Sequence, residues 1–450
     1  MFIGDIMNYI TKHKNIIIEF IIIFIITFFY NLICNHLISN DEIWNYGFSY
    51  NIASGLIPYK DFNMIITPFY PFLGSLFLIF LGKNLVVFHI FNTFICTIIF
   101  YFIKKLVPYS YYLVYTLLLS VSLPNYSLFC VLLLFIIINL ENQNKNDYVI
   151  GFFLGITFLT KQNVGIFLFI PSLFTKDLKK IIKRIIGFTI PNLILLIYLI
   201  LTDSLYYFID YCFLGLFSFA KDNTSIQIYI IFTIISILYL TYYYLKNRNI
   251  QTLYILCFQI ICYPLFDRYH VFLGFIPVLA LFLSNIKLNK KIITITFYLF
   301  IIGIFAYNIY LINNGTFEYP NDTNVYKYRV ANKTLLYNIK EISKYIKNVN
   351  NNLFIINQNA YTLKLEAKIP INKYDLLNNG NLGKDGEDKI IKEINNICSK
   401  EQCTFLMYEK EINNSTISQT NQKIIKYVSE NYYKQDKPLN LTIYRNEAKQ

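Results

Sequence analysis

The stretch Asn40–Pro68, NDEIWNYGFSYNIASGLIPYKDFNMIITP, decides how the rest of the chain is read. It separates two long apolar runs, Asn15 to Ile33 and Ile65 to Gly82, and it gathers Asp41, Glu42, the single tryptophan (Trp44) and Asp61. Nothing else in the first three hundred residues stays polar for so long. A polar, aromatic-rich segment between two apolar runs is a connection outside the hydrocarbon, and its acids are the first candidates for chemistry.

Working outward, the 450-residue chain is 55% hydrophobic and 18% aromatic, with only 15% charged residues. Soluble domains average about 25% charged. Apolar runs of roughly twenty residues recur from Ile16 to Ile312, each long enough to cross a hydrocarbon core of about 30 Å as a helix. The alternating segments of a membrane barrel do not occur. The composition therefore specifies a polytopic α-helical membrane protein.

The net charge of +13 does not point to nucleic acid. Lysines and arginines cluster beside the apolar runs, as in Lys176 to Arg184 and in Lys287, Lys290 and Lys291, where they set topology. The first run is longer than a signal-peptide core and lacks a small-residue cleavage site, so it reads as a retained helix with a cytoplasmic N-terminus. The Asn40–Pro68 loop then lies outside. Lys246 and Arg248 fall inside, Asp267 to His270 outside, Lys287 to Lys291 inside, and the C-terminal segment outside. Between residues 65 and 175 an odd number of crossings is required, with one of the two broken runs (Tyr109 to Leu140, Tyr148 to Phe174) a single irregular span and the other a pair. The total is about eleven spans by hydropathy. Lys104-Lys105 falls outside in this scheme and is the one cluster that disagrees.

From Asn313 the pattern becomes polar and rich in Asn and Lys. Tyr337 to Val349 and Lys389 to Cys398 have helical spacing, while Leu353 to Asn357, Thr404 to Tyr408 and Leu441 to Tyr444 read as short buried strands. The expected division is a membrane part, 1–312, with its first external loop at 35–68, and a small α/β extracytoplasmic domain, 313–450. Tyr374-Asp375-Leu376-Leu377 and Asn379 to Gly383 form a turn-rich loop within it. Six of eight cysteines lie in or beside apolar runs. Cys398 and Cys403 stand in polar sequence, where either a disulfide or two thiols is allowed. No zinc-ligand spacing occurs.

Within the opening loop, Asp41 can serve simply as the cap of a helix from Glu42 to Ala53. Gly55 and Pro58 end that helix, Tyr59 to Phe62 runs extended, and Pro68 and Pro71 open the next run, which returns Asp61 toward Asp41. Paired acids at a wet, aromatic-lined surface suit general-base catalysis or cation binding.

The pattern Asp41-Glu42-x-Trp44, then Gly55-x-x-Pro58-Tyr59-x-Asp61-Phe62, then Pro68, resembles the first external loop of GT-C superfamily glycosyltransferases, the group that includes protein O-mannosyltransferases and the lipid A aminoarabinose transferase. Gly155 to Gln162 (GITFLTKQ) and Asp267-Arg268-Tyr269-His270 are similar to stretches of bacterial members. The resemblance implies an inverting transferase that takes a sugar from a polyprenyl-phosphate carrier and passes it to a glycan, lipid or protein acceptor outside the cytoplasm. It implies Asp41 as base, Glu42 as its substitute, and Asp61 as a second acid that positions the acceptor or a cation.

The chemistry asks for the same parts. The acceptor hydroxyl loses a proton as it attacks, and negative charge builds on the departing phosphate, so an acid and a cation are needed. Candidate cations are Arg268, whose bland reading is a pair with Asp267, Lys161, whose bland reading is snorkelling, and Lys60. Trp44, Tyr59, Gln162 and His270 complete the substrate-binding candidates. His270 with Asp61 is a candidate site for a divalent cation, against a plain hydrogen-bonding role. The alternative is a secondary transporter or flippase for a lipid-linked or anionic glycan, with Asp41, Asp61, Lys161 and Arg268 along a pathway. The lack of an internal repeat and the C-terminal domain weigh against it. A glycan polymerase or ligase would carry its long external loop late, whereas here the longest loop between spans is the first.

Overall fold

The computed structural model describes the chain except for residues 1, 35–39, 176, 224–226, 328, 350, 357–358, 376, 378–380, 385, 409–421, 436–440 and 447–450. The apolar runs are helices: α1 (Phe2–Phe29), continued by a π turn to Cys34, α4 (Leu85–Leu106), α9 (Leu178–Leu201), α12 (Ile230–Asn247) and α15 (Lys290–Asn313) are long and apolar enough to cross a membrane. Between them lie α2 (Asn40–Ala53), α3 (Phe69–Leu81), α5 (Tyr111–Leu119), α6 (Tyr126–Asn142), α7 (Asp147–Phe158), α8 (Gln162–Phe169), α10 (Leu205–Ile209), α11 (Gly215–Asn223), α13 (Ile250–Phe258) and α14 (Arg268–Ser284). An Asn or Asp stands before many of these helices. The side chains of Asn84, Asn125, Asn146, Asp177, Asn249, Asp267 and Asn289 each accept a backbone N–H of the first turn.

Polar contacts sort the helix ends into two sets. At one end, Arg184 of α9 meets Asp147 (Nε–Oδ1 2.8 Å) and Glu141 (Nη1–Oε1 2.7 Å), and the Tyr254 hydroxyl donates to Glu141 at 2.8 Å. Lys104 of α4 pairs with Glu19 of α1, and Lys104 and Lys290 both approach the Tyr111 ring, at 5.7 and 5.5 Å. Lys104 thus stands with Lys290 at the basic end, and the one discordant cluster of the charge pattern joins the others.

This follows from a difference in α3. The run Ile65 to Gly82, expected to cross, is a 13-residue helix whose two ends lie on the same side as the acidic loop. At its start the Phe69 N–H donates to the Leu159 carbonyl at 2.9 Å. At its finish Lys83 donates to the Ser54 hydroxyl (3.3 Å) and accepts from the Tyr46 hydroxyl through its carbonyl (3.2 Å). The breaks at Pro124-Asn125 and Lys161-Gln162 each separate two helices, so both broken runs are pairs.

Helices α7 and α9 pack at backbone distance. A Cβ on Gly155 would sit 2.6 Å from the Phe188 carbonyl oxygen, and one on Gly151 or Gly187 would fall still closer to the carbonyls of Arg184 and Tyr148. This contact ties the basic end of the bundle to Lys161 at the far end of α7.

Beyond Asn313 come β1 (Phe317–Glu318), β2 (Ala331–Asn332), α16 (Lys333–Lys347), β3 (Asn352–Ile356), α17 (Ala360–Ala367), α18 (Gly386–Cys398), β4 (Cys403–Tyr408), α19 (Gln422–Asn431), β5 (Tyr433–Gln435) and β6 (Leu441–Arg445). The four-stranded sheet has the order β3-β4-β6-β5, with β3 parallel to β4 and the other pairs antiparallel. Alternation divides its faces. Ile355, Leu406 and Ile443 join Leu336, Ile339 and Ile342 of α16 in a core continuous with the helical bundle. Phe354, Ile356, Phe405 and Met407 face Ile390 and Ile394 of α18 and Ile424 and Val428 of α19. A Cys398–Cys403 disulfide joins α18 to β4. Lys176 of the basic cluster, Asn357 at the end of the first pulse, and Leu376, Asn379 and Gly380 of the turn-rich loop lie outside the described residues.

Candidate active site

Asp41 and Glu42 are consecutive on α2, so their side chains leave the helix about 100° apart and enter different surroundings. Asp41 is half-buried. Its Oδ2 accepts from Asn125 Nδ2 at 3.3 Å, and its carbonyl accepts from Asn45 Nδ2 at 2.7 Å. Asn125 is fixed in turn because its Oδ1 caps α6, accepting the Ser127 N–H at 2.7 Å. The charges acting on Asp41 come from His270, Asp267 and Lys161. Burial pushes the Asp41 carboxyl above the ordinary carboxylate range and the Asp267 charge adds to this, while His270, Lys161 and the Asn125 bond oppose it.

Asp267 caps α14 and also orients the histidine. Its Oδ1 accepts the His270 N–H at 2.9 Å, and the His270 ring Nδ1 lies 3.0 and 3.1 Å from its two oxygens. Burial works against ionisation of Asp267, but the His270 contacts outweigh it and hold the carboxyl below its usual range. With Nδ1 committed to Asp267, Nε2 is the ring atom left for chemistry. Lys161, in the break between α7 and α8, donates from Nζ to Ser127 Oγ and to the Ile261 carbonyl, both at 3.3 Å, and lies 5.5 Å from the Tyr126 ring centre. Among the described residues its third donor has no partner.

Of these groups Lys161, His270 and Tyr126 line one cavity of about 340 Å³, while Asp41 and Asp267 are not in its lining. Lys161, Gln162, Asn163 and His270 are polar residues of its lining, set in an apolar wall that includes Ile65, Tyr126 and, from the α10–α11 region, Phe213 and Phe217. Gln162 is held by its Nε2, which donates to the carbonyls of Cys212 (2.8 Å) and Ile65 (3.3 Å).

The other candidates stand elsewhere. Glu42 is buried with His89 (Oε1 to Nε2 2.9 Å) and Arg329. Asp61 closes its own turn, accepting the Ile57 N–H at 2.7 Å. Lys60 is exposed, 3.2 Å from the Thr202 carbonyl and 3.9 Å from Asp203. Tyr59 is buried at a left-handed φ of 71°, its hydroxyl donating to the Ile66 carbonyl at 2.9 Å. Trp44 packs half-buried on the core. Arg268 is exposed at the first residue of α14 and is not in the cavity lining. His270 meets Asp267, while Asp61 keeps to its own turn. Among the described residues no group of three or more His, Cys, Asp or Glu side chains is arranged to hold a metal. The divalent-cation reading therefore finds no ligand cage, and no step below runs through a metal.

Asn125, Ser127 and Arg329 were not apparent from the sequence as site residues. Asn125 carried a signal, since Pro124-Asn125 marks a helix start at the same end as the acidic loop. Arg329 carried none: its partner is 287 positions away.

The arrangement, a helical bundle with an acid-bearing loop over one end and a mixed sheet at its C-terminal end, has a likeness in fold among solved structures. One solved structure with the likeness across the chain is ArnT, the aminoarabinose transferase, from Cupriavidus metallidurans in the apo state. It covers 97% of this chain and 98% of that one at a TM-score of 0.56 and 10% identity. The oligosaccharyltransferase of Archaeoglobus fulgidus, solved with zinc and sulfate, gives 0.40 at 12% identity over 94% of this chain and 72% of that one. The archaeal oligosaccharyltransferase AglB of the same organism, solved with an inhibitory peptide and a dolichol-phosphate, gives 0.42 at 11% identity over 98% and 75%. At these identities the likeness is one of fold. Compared by sequence, the chain matches no family model and no curated protein.

Proposed function

We propose that the protein is a membrane glycosyltransferase that moves a sugar, with inversion, from a polyprenyl-phosphate carrier to an acceptor outside the cytoplasm. The observation that carries this reading is the meeting of Lys161 and His270, from two separate parts of the chain, in the lining of one largely apolar cavity, with Asp41 near enough for both charges to act on its carboxyl. The ArnT-like fold and the loop resemblance support it. In this reading the basic end of the bundle is cytoplasmic, α1, α4 to α9 and α12 to α15 make about eleven crossings, and residues 313–450 form an extracytoplasmic α/β domain.

The carrier's phosphate binds Lys161, whose third donor faces the reaction. The acceptor hydroxyl gives its proton to Asp41 as its oxygen bonds the anomeric carbon. The bond from that carbon to the phosphate oxygen breaks on the opposite face, and Lys161 offsets the charge gathering on the leaving polyprenyl phosphate. His270, oriented by Asp267, offers Nε2 to the substrate. The direct test is turnover of polyprenyl-phosphate sugars by purified protein with an envelope extract as acceptor source. Release of free polyprenyl phosphate is expected, and its absence with every donor would contradict the proposal.

Two further results are expected. Lys161→Met removes a charge-assisted hydrogen bond worth about 1.5–3 kcal/mol, so half-saturation by donor should rise about 10- to 100-fold. Steady-state kinetics against donor concentration checks this, and unchanged saturation would remove Lys161 from the phosphate site.

The pH profile gives the second. Asp41 acts as a base only when ionised, and its pKa is raised, so activity should fall on acidification through a limb above the usual carboxylate value of about 4. Asn125→Ala removes a hydrogen bond to the ionised form and should move that limb to still higher pH. A limb that moves down in this variant would reverse the assignment.

A further inference from the structure

We infer that Arg329 is a positioning residue: through a buried cluster with Glu42 and His89, the segment that precedes the C-terminal sheet fixes the helix start carrying Asp41. This rests on the transferase reading above. The three side chains are at most 1% exposed and come from three places, α2, α4 and the turn before β2. Glu42 Oε1 lies 2.9 Å from His89 Nε2 and accepts from Arg329 Nη1, which is 3.5 Å from the same histidine nitrogen. A carboxylate and a guanidinium so deeply buried are tolerable only together, so each specifies where the other must be. The residue specified is the direct neighbour of Asp41.

The rest of α2 is gripped from the same side. The Val330 N–H, one residue from Arg329, donates to the Leu32 carbonyl at 2.9 Å, at the end of α1 that leads into the acidic loop. Asn51 Nδ2 donates to the Ile371 carbonyl at 3.4 Å, the Phe48 and Tyr361 rings meet edge-on at 5.9 Å, and a Cβ on Gly47 would come within 2.7 Å of Tyr361. Helix α2 therefore lies between the bundle and the C-terminal segment, and its register is set by groups far along the chain. Burial opposes the ionisation of Glu42, but Arg329 and His89 prevail and hold its carboxyl below the ordinary range, the state of a permanent anion rather than of a proton acceptor.

The test uses the full-length protein and four variants: Arg329→Gln, Arg329→Lys, Glu42→Gln and the double variant Glu42→Gln/Arg329→Gln. Arg329→Gln is expected to lower kcat at least about 30-fold with donor KM within about twofold, and to speed amide exchange in residues 42–50 while exchange in α9 and α15 stays as in the wild type. Arg329→Lys should recover part of the rate, and the double variant should exceed both singles because no buried charge is left alone. Unchanged kcat and unchanged α2 exchange would overturn the inference. So would a double variant as inactive as Glu42→Gln, since that would make Glu42 the base. If Arg329→Gln does not fold, the lysine and double variants carry the same comparison. The exchange readout needs no turnover: loss of α2 protection in a protein whose wild type transfers no sugar would sink the transferase reading and leave the anchoring of α2 standing.

Discussion

Replacing Asp41 by asparagine should lower the transfer rate by about 10²- to 10⁴-fold, the span that a positioned general base contributes. Donor binding should change by less than about twofold, because the phosphate and lipid contacts belong to other groups. The substitution keeps the size of the side chain and leaves an oxygen to meet Asn125, whose amide lies 3.3 Å from the present carboxylate. It also relieves the repulsion from Asp267, so the protein should fold at least as well. Single-turnover rates and donor binding by the same preparation check both parts. A rate within tenfold of the wild type would take the base role from Asp41.

Gly151→Ala should be the most damaging small substitution in the helical bundle. The added Cβ would collide with the backbone of Arg184, which no rotamer change can relieve, so α7 and α9 must separate. Separation pulls the Arg184 guanidinium from Glu141 and Asp147, a buried charge group whose disruption costs about 3–5 kcal/mol. It also disturbs the far end of α7, where Leu159 holds the start of α3 and Lys161 lines the cavity. Thermal unfolding in detergent should begin at least about 5 °C lower. Gly303→Ala is the control: a Cβ there meets nothing within 4 Å and should leave the midpoint unchanged. Equal midpoints for the two variants would mean that the α7–α9 contact does not hold the bundle.

Particular residues show how far the sequence could be read. The acidic loop stood out because polar sequence between apolar runs can only lie where water or protein satisfies it. The helix starts were signalled by Asn and Asp, whose side chains compete for backbone N–H groups best at a first turn. Strands β3, β4 and β6 coincide to within about two residues with apolar pulses, whereas β5 is an exposed edge with no apolar signal. Helix α3 misled because hydropathy does not distinguish a helix that runs the length of the bundle from one whose two ends stay at the same end of it. It buries Tyr70, Gly74 and Leu78 on one side and exposes Leu76, Ile79 and Phe80 on the other. The Lys104-Lys105 disagreement was the visible symptom. At the site, Asp41, Lys161 and His270 were legible as polar residues at apolar boundaries. Asp267 was read toward its neighbour Arg268, although the three-residue spacing to His270 is that of a helix cap. The Arg329 contact had no local trace, since long-range ion pairs leave no periodicity.

The decisive measurement uses sealed proteoliposomes supplied with a polyprenyl-phosphate sugar labelled separately in the sugar and in the phosphate, with acceptor present. Transfer predicts that the labels part, the sugar appearing on the acceptor and the phosphate staying on the free carrier, and that Asp41→Asn abolishes this separation. Labels that cross the bilayer together, or that part equally fast in the Asp41→Asn protein, would contradict a transferase with Asp41 as its base.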